Sequence, residues 1–211
     1  MKETKRQVRI KEVAEAHGVR RVLHFTAIEN IPSIVQHGLL SVQECRRRGL
    51  EVVTTDCFRI DNRTDTICTT ITNVNCEMLN RKIVDFPNRR WVILHLSPEI
   101  LWECRCRFLH TNASRREILP YDHFYESAEA FEAMFRRNRA GITIVGSQAI
   151  PANVPLDPQA EVQVSDHIPA RFILGAEVRG REDAIRVDTA FRDLPEWERE
   201  VSDDSHLLWG R

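Results

Sequence analysis

The sequence predicts an α+β domain, and three observations carry that prediction. Short apolar strand-like runs alternate with short amphipathic helical runs, without the regular βαβ spacing of a doubly wound sheet. The length, 211 residues, suits one domain with a genuine core and short extensions. With 42% hydrophobic and 29% charged residues, and only 8 Gly and 9 Pro, collagenous, low-complexity and wholly disordered classes are excluded.

The elements follow in order. Residues 6–17 place Val8, Val13 and Ala16 among charges, as in a short surface helix stopped by Gly18. Arg21–Phe25 is a short strand, and Ile28–His37 a helix with Ile28, Ile31, Ile34 and Val35 on one face and Gly38 as its stop. Residues 41–66, rich in charge and Asn, are expected to form a long loop, and loops of that length usually carry function. Ile67–Thr72 is expected as a strand, Cys76–Lys82 as a helical turn, and Trp91–Leu96 as the clearest strand of the chain. Pro98–Glu103 resembles one helical turn. Ser127–Arg137 opens on a capping Ser and points Ala130, Phe131, Met134 and Phe135 inward. Residues 138–159, punctuated by Gly141, Gly146, Pro151, Pro155 and Pro158, are a mobile connection. Ala160–Val164 and Phe172–Val178 are strands, and the polar segment after Gly180 is expected to be loosely attached.

The net charge is −1, but it is unevenly spread. From Glu182 onward there are nine acidic residues against four Arg, leaving 26 basic against 22 acidic in the remainder. Only Lys2, Lys5, Lys11 and Lys82 are lysines, and Arg favours bidentate phosphate contact and stacking on bases. Charge thus permits a nucleic-acid partner without demanding one. Nothing approaches the roughly 18 apolar residues of a membrane span, and the first 25 residues lack a secretory apolar run, so a cytosolic protein is expected. Its six cysteines should then be reduced, and Cys104 and Cys106 are too close for a zinc motif, so no metal is expected. Rossmann, Walker A and nucleophile-elbow patterns are absent.

Three constellations bear chemistry. His24-Phe25-Thr26 ends a strand just before a helix, where free backbone N–H groups and side-chain donors and acceptors converge. Read blandly, Thr26 is a helix cap and His24 a core histidine. Gln159-Ala160-Glu161-Val162 puts a carboxylate at a strand start. There it can hold a ribose hydroxyl and offset positive charge at an anomeric carbon, although an exposed strand Glu is the ordinary alternative. Phe58-Arg-Ile-Asp-Asn-Arg-Thr-Asp65 alternates Arg and Asp, as a pyrophosphate clamp or a solvated salt-bridged loop would.

The ordered set HFTAIENIPSIVQHGLLS, DNRTDTICTTI, WVILHLSPEILWE, HTNAS and DPQAEVQVSDHIPARFI resembles the DarT family of DNA ADP-ribosyltransferases, the toxin halves of toxin–antitoxin pairs. The resemblance spans about residues 22–178. It implies an ADP-ribosyltransferase fold of two small, roughly perpendicular sheets with peripheral helices and NAD in the cleft between them. It divides the chain into an N-terminal helical extension (1–20), the ADP-ribosyltransferase domain (21–180) and an acidic C-terminal tail (181–211). The matching NAD-contacting positions are His24, Phe25, Thr26, Ser33 and Leu40. The essential arginine matches Arg63, with Arg59 as the fallback, and the catalytic glutamate matches Glu161. Residues 41–66 would cover NAD and about 112–160 would read the substrate, with Tyr121, Phe124 and Tyr125 as candidates for stacking on bases. The implied reaction moves ADP-ribose from NAD to thymine or guanine in single-stranded DNA and releases nicotinamide. The implied partners are single-stranded DNA and a macrodomain antitoxin. Transfer to RNA or protein, or non-catalytic NAD or nucleic-acid binding, are the alternatives. Where related sequences show Ser-Ile-x-Phe-Pro-Asn, this chain reads Thr70-Ile-Thr-Asn-Val-Asn75 and so lacks the Phe-Pro corner.

Overall fold

Helix α1 (Lys5–His17) begins with a reciprocal cap between Thr4 and Gln7 and ends at Gly18 in the left-handed region. The structure, a computed structural model, describes residues 3–54, 61–115, 118, 122–136, 150–194 and 200–203. Ile10 and Ala14, rather than Val8, are the residues α1 buries, and Val8 is exposed. Strand β1 (Val22–Ala27) passes through a single 3₁₀ turn into α2 (Ile31–His37), whose Ile31 and Ile34 face the core as the spacing predicts.

Gly38 then turns the chain into β2 (Leu39–Leu40) at φ +74°. A Cβ there would collide with the Ile168 carbonyl, so only glycine fits. The segment expected as one loop opens with a helix, α3 (Val42–Arg47). The Ser41 hydroxyl caps it by accepting from the Glu44 N–H, and Cys45 faces inward. Next come β3 (Thr66–Ile71), α4 (Cys76–Asp85, capped by Asn75), β4 (Trp91–Leu96), α5 (Ile100–Glu103) and β5 (Cys106–Leu109). Helices α6 (Asp122–Tyr125) and α7 (Ala128–Ala133) follow; α7 is shorter than its apolar spacing suggests, since Met134 and Phe135 lie in the turn beyond it. Strands β6 (Glu161–Ser165), β7 (His167–Ile168) and β8 (Ile173–Val178) precede α8 (Arg181–Phe191) and β9 (Glu200–Ser202).

One large sheet and one small sheet result. The large sheet has the order β5-β6-β3-β1-β4-β8-β9, and β2 pairs with β7. Neighbours are antiparallel except β8 and β9. The join in the middle of the large sheet is narrow: β1 and β3 share only Val22–Ile71 and Leu23–Thr70, whereas β1 pairs with β4 along its whole length. Beyond Leu23 the two strands therefore part, and the sheet behaves as two runs hinged at that join. The expected α+β ADP-ribosyltransferase-like fold is present: the two runs join as one large sheet, a two-stranded sheet stands apart, and helices lie around them.

The main core lies on one side of both runs, where Val92, Leu94, Val162, Val164, Phe108 and Phe131 meet. Burying each such side chain contributes roughly 1.5–3 kcal/mol. A second, smaller core packs Leu79 of α4 against Leu23, Trp91 and Ile93. The segment after Gly180 is not loosely attached over its described residues. Val187, Phe191 and Leu194 fall at helical spacing within an otherwise polar stretch and are buried. Strand β9 closes on β8 at Gly175, where a Cβ would meet the Glu200 carbonyl. Trp197 and Trp209 lie outside the described residues.

Candidate active site

The parting of β1 from β3 creates the site. Where a sheet bond is lost, its polar groups need other partners. His24 supplies one: its Nδ1 lies 2.8 Å from the Cys68 carbonyl, in the gap between the strands. A carbonyl only accepts, so Nδ1 carries the proton and Nε2 is left as an acceptor. Burial pulls the His24 pKa below its ordinary value, against the opposing bond to Cys68, so the ring is neutral at pH 7.

A cleft of about 720 Å³ opens at this point, within the roughly 300–1,000 Å³ usual for ligand pockets. His24, Phe25, Thr26, Ser33, Leu40 and Glu161, far apart in sequence, all line it. On the side of β1 and α2, Asn30 is a buried brace. Its Nδ2 donates to the Thr26 hydroxyl and to the Val53 carbonyl, both at 3.0 Å, and its Oδ1 accepts from the Val53 N–H at 2.8 Å. Thr26 is thus held in orientation, and the Val53 segment is fastened to the cleft edge.

Glu161 stands at the first position of β6, paired with Leu109 of β5 and only 7% exposed. Its carboxylate accepts from the Ala113 N–H. That N–H is aimed by a turn in which Asn112 Oδ1 accepts from the Ser114 N–H at 2.9 Å and from the Ser114 hydroxyl at 2.6 Å. A carboxylate bonded to backbone in a cleft of this size suits recognition of a ribose and stabilisation of developing positive charge.

Past Glu161 the other wall is α4 and the 112–115 turn. Glu77 accepts from Gln159 Nε2 at 2.6 Å, joining α4 to the residues before β6. Arg81 and Arg115 are exposed, line this wall, and have no carboxylate partner among the described residues. Elsewhere arginines are commonly paired, as Arg47 and Arg48 are with Glu44. The polar and charged lining fits a dinucleotide.

Residues 23–207 match the sequence model of the family described as "ssDNA thymidine ADP-ribosyltransferase, DarT". The chain belongs to the DarT family. As a member it is an ADP-ribosyltransferase that acts on single-stranded DNA. The match runs well beyond residue 178 and takes in α8 and β9. Solved structures agree on the fold. "Thermus sp. 2.9 DarT in complex with ADP-ribosylated ssDNA" superposes with a TM-score of 0.59 at 16% identity, covering 89% of this chain and 96% of that one. The same Thermus protein "in complex with NAD+" gives 0.55 at 16% identity, covering 88% and 96%. "Thermosipho africanus DarTG in complex with ADP-ribose" gives 0.55 at 16% identity over 88% of this chain, which spans half the length of that one. No curated protein matches. No helix among the described residues is long and apolar enough to cross a membrane.

Of the described residues the DarT resemblance singles out, Arg63, Phe124 and Tyr125 do not line the cleft. The Arg63 Nε and Nη2 reach Asp65 at 3.0 and 3.2 Å. Arg59 and Tyr121 lie outside the described residues. Phe124 is 56% exposed and its ring is 4.3 Å from that of His123, whereas Tyr125 packs over the Arg107 guanidinium. Sequence reasoning missed Asn30, Asp61, Arg81 and Arg115. Asn30 sits inside the recognised Asn-Ile-Pro-Ser-Ile run, but its bond to Val53 spans 23 residues and has no local signature.

Proposed function

We propose that the cleft transfers ADP-ribose to thymine, with Glu161 as the catalytic carboxylate. NAD supplies the ADP-ribosyl group: its glycosidic bond to nicotinamide breaks as a ring nitrogen of the base bonds to the same ribose carbon and gives up its proton, so the step is a glycosyl and not a nucleotidyl transfer. Glu161 holds a ribose hydroxyl and stabilises the positive charge that grows on that carbon. His24 presents Nε2 as an acceptor, and Thr26, oriented by Asn30, fixes the nicotinamide end. Phe25, Ser33 and Leu40 line the remainder of the NAD side. The arginine that meets the pyrophosphate is assigned to Arg63, with Arg59 as the fallback, and Asp65 orients the Arg63 guanidinium. Arg81 and Arg115 sit on the acceptor side and contact phosphates of the strand. A single-stranded acceptor avoids the few kcal/mol needed to extract a base from a duplex.

The observation that carries this reading is the buried position of Glu161, where the two cleft walls meet. A cytoplasmic toxin role, with a macrodomain antitoxin that removes ADP-ribose, goes with it. The test offers NAD with a thymine-containing single-stranded oligonucleotide, a thymine-free one, RNA and protein in parallel, followed by intact mass. The thymine-containing strand should gain ADP-ribose. Modification of RNA or protein instead, or equal modification of the thymine-free strand, would overturn the assignment.

A further inference from the structure

We propose that Gln163 is a positioning residue that fixes the NAD-side wall at Asp61 relative to the strand carrying Glu161; this rests on reading the cleft as the NAD site. Gln163 is fully buried and lies two residues after Glu161, so both side chains leave β6 on the same face. Its Nε2 donates to Asp61 Oδ2 at 2.7 Å, and its Oε1 accepts from Arg107. Arg107 is itself only 4% exposed. The amide is thus inserted between a cation and an anion, with oxygen toward the guanidinium and nitrogen toward the carboxylate. The flipped amide would satisfy neither.

Asp61 is a cleft-lining residue at a tight turn. Its Oδ1 accepts from the Arg63 N–H at 3.2 Å, across Asn62 at φ +55°. Asn tolerates that left-handed conformation, and the Gln163 bond fixes the Asp61 carboxylate beside it. The arrangement mirrors Asn30 at Val53. Two buried amides, one just after β1 and one on β6, pin two points of the same wall to the two elements that carry His24 and Glu161.

The test exploits the polarity of the bridge. Gln163→Glu keeps size and the Arg107 contact but sets a carboxylate against Asp61. It should raise the Kd and KM for NAD about tenfold, the loss of one buried hydrogen bond, while kcat at saturating NAD changes little. Asp61→Asn combined with Gln163→Glu restores a donor facing an acceptor, and should return the NAD Kd to within about threefold of wild type. A merely structural role predicts a lower melting temperature without this rescue. Unchanged NAD affinity in Gln163→Glu, or a double variant as weak as the single, overturns the proposal. Should Gln163→Glu not fold, Gln163→Met carries the test, and unaltered NAD affinity in it is equally contrary. Calorimetric NAD binding needs no acceptor. A protein that binds NAD with this pattern yet leaves DNA unmodified would refute the transfer reading and keep the positioning role; a wild type that does not bind NAD refutes both.

Discussion

The two walls of the cleft are built on opposite plans. The wall formed by β1 and α2 is braced: His24 is tied to the Cys68 carbonyl, and Asn30 satisfies Thr26 and both backbone groups of Val53. The wall formed by α4 and the 112–115 turn presents exposed Arg81 and Arg115, with no carboxylate holding either among the described residues. The difference teaches what each side recognises. A ligand of one fixed chemical structure rewards preorganised groups, because ordering them is already done before binding. A flexible strand of variable conformation rewards mobile charges that follow its phosphates.

If the contrast is correct, substitutions on the braced wall should cost stability as well as affinity, and those on the other wall should cost neither stability nor NAD binding. Asn30→Ala removes three hydrogen bonds and leaves buried polar groups without that partner. It should lower unfolding stability by roughly 2–4 kcal/mol, seen as a lower denaturation midpoint at unchanged slope. His24→Ala and Thr26→Ala should each weaken NAD about tenfold by calorimetry, on the order of 1–2 kcal/mol. Equal affinity in both variants would dissolve the distinction between the walls. Arg81→Gln and Arg115→Gln should leave NAD affinity and melting temperature unaltered. Each should flatten the logarithmic salt dependence of oligonucleotide binding by about 0.7, the increment for one phosphate contact on a single strand.

The smallest effect concerns pH. Because the folded pKa of His24 is lowered from its ordinary 6.5, the ring stays neutral as pH falls toward that value and charges only below it. NAD affinity should therefore be flat from pH 8 to about 6.5 and fall at lower pH. The stability sign is the same: the unfolded chain binds its proton first, so stability is present above 6.5 and declines as pH drops through it. Loss of affinity already centred above 6.5 would contradict a buried neutral acceptor.

Much of this contrast was legible in the residues, but unevenly. Trp91–Leu96 and the Ile28, Ile31, Ile34 stripe announce themselves by period, and both are where the spacing puts them. The short strand β5, which flanks Glu161, is only four residues long and was invisible to periodicity. So was β9, which a parallel partner rather than its own pattern holds in place. Helix α3 was hidden because charge dominates its sequence, although Ser41 is a legible cap. Within the site, the residues fixed by short motifs, His24, Thr26 and Glu161, converge as the motifs suggest. Arg63 does not line the cleft among the described residues, and its guanidinium pairs with Asp65 two residues on. Asn30 and Gln163 act through partners 23 and 102 residues away, and no local pattern encodes a tertiary bond.

The central claim is that Glu161, where the walls meet, acts on charge that appears only in the transition state. Glu161→Gln keeps size and hydrogen-bonding reach and removes the negative charge. On one preparation of that variant, the NAD Kd and the rate of transfer to a thymine-containing single strand should be measured together. The predicted result is an NAD affinity close to wild type and a rate reduced by about two to three orders of magnitude, roughly 3–4 kcal/mol. A transfer rate equal to wild type, or a rate loss matched by an equal loss of NAD affinity, would contradict it.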